Sequence, residues 1–131
     1  MGSPAAPFGM RTRRMTLGAD GEAAAERWLR DRGFEIVGTG FRVRCGELDI
    51  VAREGRVVVF VEVKTRTSDA FGSPAESVTR VKRARIARAA SVFLLQAGWT
   101  DRTCRFDVLS VAPVGSGWRV SHLRDAFRPG D

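Results

Sequence analysis

Apolar and small residues from Leu17 to Arg32 recur at helical spacing: Gly21, Ala24, Ala25, Trp28 and Leu29 follow the i, i+3, i+4, i+7, i+8 rule. Gly33 is placed to end that helix. The pattern then changes to alternation. "FEIVGTGFRVR" predicts a first strand broken by glycine, "GELDIVARE" a second, Glu54-Gly55 a turn, and "RVVVFVEVKTR" a third. Beyond the polar loop "TSDAFG", Ser73, Pro74 and Glu76 form a capping box, which predicts a helix running to about Gln96 and closed by Gly98. "CRFDVLSVAP" alternates as a fourth strand, and "GWRVSHL" reads as a short fifth. The order is α-β-β-β-α-β with a short last strand, an α/β domain whose mixed sheet is flanked by helices.

The chain has 131 residues, 44% of them hydrophobic, which suffices for one core without disulfides or a structural metal. We place a basic arm at residues 1–15, a single domain at 16–128 and a short tail at 129–131. No apolar run is long enough to span a membrane, and the arm has no apolar core of the kind a secretory signal needs. Cys45 and Cys104 lie far apart in sequence and suggest neither a disulfide framework nor zinc, so a reducing cytoplasm is the simplest home. The lone His122 reads as an ordinary surface residue. Net charge is +7, and without Arg11, Arg13 and Arg14 it is still 7 − 3 = +4. A basic body of this kind suits a partner rich in phosphate.

Against that background, charges inside the third strand stand out. "VVVFVEVKTR" reads as a central strand, yet it carries Glu62 and Lys64, and an isolated buried charge is costly. With a turn at Glu54-Gly55, Asp49 falls opposite Phe60, Glu62 becomes its diagonal neighbour and Glu47 faces Glu62. Side-chain alternation then puts Glu47, Asp49, Glu62 and Lys64 on one face of the ribbon. Carboxylates crowded in this way repel unless a cation neutralises them, and an oxygen-rich site suits Mg²⁺ or Mn²⁺. A Glu-x-Lys alone is common on sheet surfaces; the same-face Asp49 in an otherwise apolar strand gives the pattern its weight.

The helices extend the picture. Glu22 lies at the edge of the first helix's apolar arc, next to Leu29, and can reach towards the strand carboxylates. In the second helix Val78, Val81, Ile86, Ala89, Val92 and Phe93 define the buried face, yet Lys82 and Arg85 fall within the same arc. They either snorkel to the rim or approach a phosphate or a site carboxylate. Arg42, Arg44 and Arg66, near the ends of the hairpin, are placed to hold a nucleic-acid backbone, giving affinity without sequence choice. Arg80, Arg83 and Arg88 project elsewhere and read as solvated.

The joint pattern "GADGEAAAERWLRDRGF", "GELDIVARE", "VFVEVKTR", "FGSPAESV" and "CRFDVLSV" closely resembles the YraN family of small bacterial proteins, from about Leu17 to Phe127. That family resembles the restriction-endonuclease-like PD-(D/E)XK nucleases and is similar in layout to archaeal Holliday junction resolvases. The resemblance implies a restriction-endonuclease-like core with the motif Asp at Asp49, the Glu-x-Lys at Glu62 and Lys64, and a helical acid at Glu22. Leu48 replaces the motif proline. By this resemblance Asp49, Glu62, Glu22 and the carbonyl of Val63 would hold Mg²⁺ or Mn²⁺, and Lys64 would orient the attacking water. Glu47 is a second-rank candidate, for an arginine or a second metal. The implied function is metal-dependent hydrolysis of DNA, branched or otherwise structured, with a two-fold dimer expected by analogy. The alternatives are a non-catalytic nucleic-acid-binding module that keeps the fold, and a protein-interaction domain with an incidental basic surface.

Overall fold

The computed structural model describes residues 17–66 and 78–129. Helix α1 (Leu17–Asp31) precedes three strands, β1 (Glu35–Val43), β2 (Gly46–Glu54) and β3 (Val57–Thr65). Helix α2 (Arg80–Ala97), β4 (Cys104–Val114) and β5 (Gly117–Phe127) complete the described chain. The five strands form one sheet in sequence order. Neighbours pair antiparallel except β3 and β4, which run parallel because α2 intervenes as a crossover. The mixed α/β sheet expected from the hydrophobic pattern is therefore present.

Each face of the sheet carries one helix. Phe41, Val51, Phe60, Phe106 and Val108 meet α2 through Ile86, Ala89 and Phe93. Phe93 packs edge-on against Phe41 at 5.3 Å and against Phe60 at 6.0 Å between ring centres. On the other face Ile50, Val59, Val61 and Leu109 meet Ala25 and Leu29 of α1. This two-sided cover explains why β3 reads as a nearly continuous apolar run rather than an alternating one.

Both helices end where glycine allows it. Gly33 and Gly98 take φ of 90° and 73°, and the Gly98 N–H bonds back to Leu94 and Leu95 carbonyls. Helix α2 opens with Thr79 as its N-cap, whose hydroxyl accepts from the Lys82 N–H. The Ser73–Glu76 capping box, the "TSDAFG" loop and the basic arm lie outside the described residues.

Four expectations need correction. The hairpin turn is Gly55-Arg56, not Glu54-Gly55: Gly55, with φ of 61°, takes the first central position, where a type II′ turn wants glycine. Glu54 consequently pairs with Val57, and the register sum becomes 111 instead of 109. Val81 is 63% exposed rather than on the buried face of α2, because Val78, just before the helix, takes the core position. Arg83 is half-buried rather than solvated, its Nε donating to the Val78 carbonyl. The fifth strand is not short. It resumes after a bulge at which Asp125 takes φ of 52°, and Phe127 packs on Phe106.

Candidate active site in the fork between two strands

The pairing of β2 with β3 stops at Ile50 and Val61, while β2 stays paired with β1 as far as Gly46 and β3 with β4 as far as Thr65. The two central strands therefore part, and Asp49 and Glu62 are the first residues past the fork. One step along the register they face each other directly, closer than the diagonal expected from the sequence. The correction shifts the register by two, so alternation still puts Glu47, Asp49, Glu62 and Lys64 on one face. The backbone N–H of Val63, which would otherwise lack a strand partner here, donates to Asp49 Oδ2 at 2.8 Å.

Charges accumulate at this point. Glu62 is 6% exposed and its Oε2 lies 2.6 Å from Lys82 Nζ, which reaches down from the first turn of α2. The Lys64 ammonium lies beside that of Lys82, so two lysines meet next to Glu62. Burial, and then the neighbouring Glu62 charge, push the Asp49 carboxyl well above the usual carboxylate range, with Glu22 adding to the rise and the Val63 N–H opposing it. The Lys82 contact, followed by burial, lowers the Lys64 ammonium. Burial works against the Lys82 ammonium, but its contact with Glu62 and the nearby Asp49 carboxylate outweigh this, and its pKa is raised.

Helix α1 lies on the opposite face, and its Gly21 sits where a Cβ would come 2.3 Å from the Thr65 hydroxyl oxygen, so glycine brings α1 close to the end of β3. From there the Glu22 charge reaches Asp49. Glu47 turns instead towards Arg42, at 3.8 Å. A cleft of about 770 Å³ opens over the fork, between the β1–β2 turn and α2. Asp49 and Glu62 form its floor, and Arg42, Arg44, Lys82, Arg85 and Arg88 line it. Of the five cations assigned to phosphate contact from the sequence, four line this cleft; Arg66 does not, its backbone N–H donating to the Val111 carbonyl. Arg88, read as solvated, joins them.

Among the described residues no three Asp, Glu, His or Cys side chains are grouped as a ligand set. Mg²⁺ asks for less: one or two carboxylates, with water and substrate phosphate completing its shell. Asp49 and Glu62 meet that requirement. The Val63 carbonyl lies on the same edge of β3 as its N–H, the edge that faces Asp49. The donor set thus fits such an ion.

A second buried charge group escaped the sequence reading. Asp107 in β4 has no exposed surface and accepts from Arg105 Nε at 2.8 Å, Arg105 Nη2 at 2.9 Å and the Asp125 N–H at 2.9 Å. His122 Nε2 lies 2.8 Å from Oδ2, the oxygen that also accepts from Arg105 Nη2. His122 is therefore not an ordinary surface residue: it is 10% exposed, edge-on to Trp28 at 5.4 Å and near Phe34. Burial works to raise the Asp107 pKa, but His122, Arg105 and the Asp125 N–H bring it down to about 2. Every acceptor direction of Asp107 is taken, and the group pins the bulge of β5. The available signal was an aspartate inside an apolar strand, the same kind of signal that marked Glu62.

Fold and cleft define a class: a small mixed α/β protein with a carboxylate–lysine cluster where two central strands diverge beneath an arginine-lined cleft. Comparison of the sequence identifies the family. Uncharacterised protein family UPF0102 matches residues 21–111, and the chain belongs to this YraN-like family. It is 50% identical over 109 residues to a UPF0102 protein of Beutenbergia cavernae, covering 82% of this chain and 92% of the relative. A UPF0102 protein of Geotalea daltonii is 45% identical over 113 residues (86% and 89%), and one of Hahella chejuensis is 42% identical over 121 residues (92% and 97%). No helix among the described residues is long and apolar enough to cross a membrane.

Proposed function

We propose that this protein is a metal-dependent nuclease with a restriction-endonuclease-like core, hydrolysing phosphodiester bonds in DNA. One observation carries the reading: Asp49 and Glu62 face each other at the fork, with two lysines beside them and arginines around the opening. Paired acids with lysine at the floor of a basic cleft suit phosphodiester chemistry better than a purely structural role, because apolar packing would cost less than such a cluster.

Asp49 and Glu62 would hold Mg²⁺ or Mn²⁺ with the Val63 carbonyl, and Glu22, on the opposite face, would reach the ion only through water. When bound, the ion would polarise the phosphoryl oxygen and lower the pKa of a water. Lys64 sits two residues beyond Glu62 on the same face, where its ammonium can orient the attacking water and offset charge developing on phosphorus. Arg42, Arg44, Arg85 and Arg88 would grip phosphates on either side and supply affinity without reading bases. Two free thiols, Cys45 and Cys104, suit a reducing cytoplasm. A structured or branched DNA, cut by a two-fold dimer, is the substrate this reading anticipates.

The test is cleavage of labelled duplex, single-stranded, flap and four-way-junction DNA with Mg²⁺, Mn²⁺ or EDTA, beside the double variant Asp49→Ala, Glu62→Ala. Cutting that needs metal and disappears in the variant supports the proposal. Salt-sensitive binding with no cutting by either protein would replace it with the non-catalytic binding module. Absence of both would favour a protein-interaction domain.

A further inference from the structure

One contact in the cleft has no part in the reaction as just described. Lys82 places its ammonium 2.6 Å from Glu62 Oε2, against the carboxylate pair assigned to the metal. Its stem leaves the first turn of α2 and runs along the cleft wall, with the side chain 40% exposed. Glu62, by contrast, is almost wholly enclosed, so without a divalent ion this ammonium is its close counter-charge. A dication on Glu62 Oε2 would stand within about 5 Å of Lys82, and one on Oε1 within about 7 Å, beside Lys64 in either case, putting three cations around two carboxylates. The enclosed group that cannot leave is Glu62. The group that can is Lys82, because the cleft gives its four-carbon stem room to turn without moving the helix.

We propose that Lys82 is a placeholder cation: it occupies Glu62 in the metal-free protein, yields that carboxylate to the divalent ion, and swings to the substrate phosphate. The inference rests on the metal-dependent reading and adds a positioning role to it. Lys82 keeps the carboxylate pair assembled and neutralised before the ion arrives. Its release then adds one cation to the wall already formed by Arg42, Arg44, Arg85 and Arg88. Metal and nucleic acid thus support each other's binding, a coupling that must be reciprocal.

Isothermal titration of the full chain with Mn²⁺ alone tests this on wild type, Lys82→Met, Lys82→Gln and Glu62→Gln, with thermal melts to identify folded variants. Lys82→Gln serves if Lys82→Met does not fold. Removing the competing ammonium is expected to tighten Mn²⁺ binding by tenfold or more, while Glu62→Gln loses it. Mn²⁺ affinity that stays the same or falls in the Lys82 variants overturns the placeholder role and leaves the metal site standing. If neither wild type nor any variant binds Mn²⁺ saturably, the metal-dependent reading fails and takes this one with it.

Discussion

The replacement Asp107→Asn tests the electrostatics most directly, because its effect can be worked from the structure. Asp107 has no exposed surface and its pKa falls from an ordinary 3.8 to about 2. A shift of nearly two units corresponds to about 2–3 kcal/mol of stability carried by the charge at neutral pH. Asparagine keeps the shape and one acceptor, but its NH2 group must point at donors of Arg105 or His122. Arg105 retains Glu54 at 2.9 Å, which limits the damage, so a total loss of about 3–4 kcal/mol is expected. With a urea slope near 1.5–2 kcal/mol per molar, the unfolding midpoint should drop by about 2 M. The acid dependence gives a second reading. A depressed folded-state pKa contributes stability that is present above the unfolded value near 4 and disappears as pH falls through about 2. The gap between wild type and variant should therefore shrink across that window, with the wild type losing the more. A loss below about 1 kcal/mol, or a variant that keeps the full acid slope, would refute the reasoning.

At the fork the sign reverses. A raised Asp49 pKa favours the fold below pH 4 and is a growing handicap as pH rises, so the stability of Asp49→Asn relative to wild type should climb with pH above 4 in urea unfolding. Gly46→Ala would bring a Cβ within 2.6 Å of the Arg85 carbonyl; we expect a loss of about 1–3 kcal/mol, read as a lower melting temperature. Thr79→Ala removes the α2 cap and should cost about 1 kcal/mol in the same measurement. If Arg42 and Arg44 hold phosphates, the double alanine variant should weaken DNA binding without changing sequence preference. It should also flatten the log–log salt slope by about two in a fluorescence titration.

Why Asp49, Glu62 and Lys64 were legible in the sequence although their pairing was not follows from the geometry of a strand. Side chains alternate with period two, so the two-residue difference between the expected and observed registers changes the partner opposite Asp49 but leaves every residue on its face. A turn misplaced so as to shift the register by one would have sent the acids to the other side. The fork itself has no local signature. It depends on β2 following β1 and β3 following β4, a competition between non-adjacent strands, and that competition is what turns a diagonal pair of acids into a facing one. Lys82 was legible as a cation in an apolar arc, because a charge where the helical period asks for a hydrophobe needs a partner. Its choice of Glu62 over a phosphate required knowing where α2 crosses the sheet. His122 failed for the complementary reason. The residues that bury it, Trp28 in α1, Phe34 and Asp107 in β4, come from three separate parts of the chain, and a short alternating segment at an edge carries no trace of them. The two aspartates carried the same local signal and diverge only in their surroundings. Asp107 has a donor for every lone pair, and its pKa falls. Asp49 has one backbone donor and two acidic neighbours, and its pKa rises. A carboxylate left so poorly neutralised by its own protein is the one that a cation from solution would stabilise most.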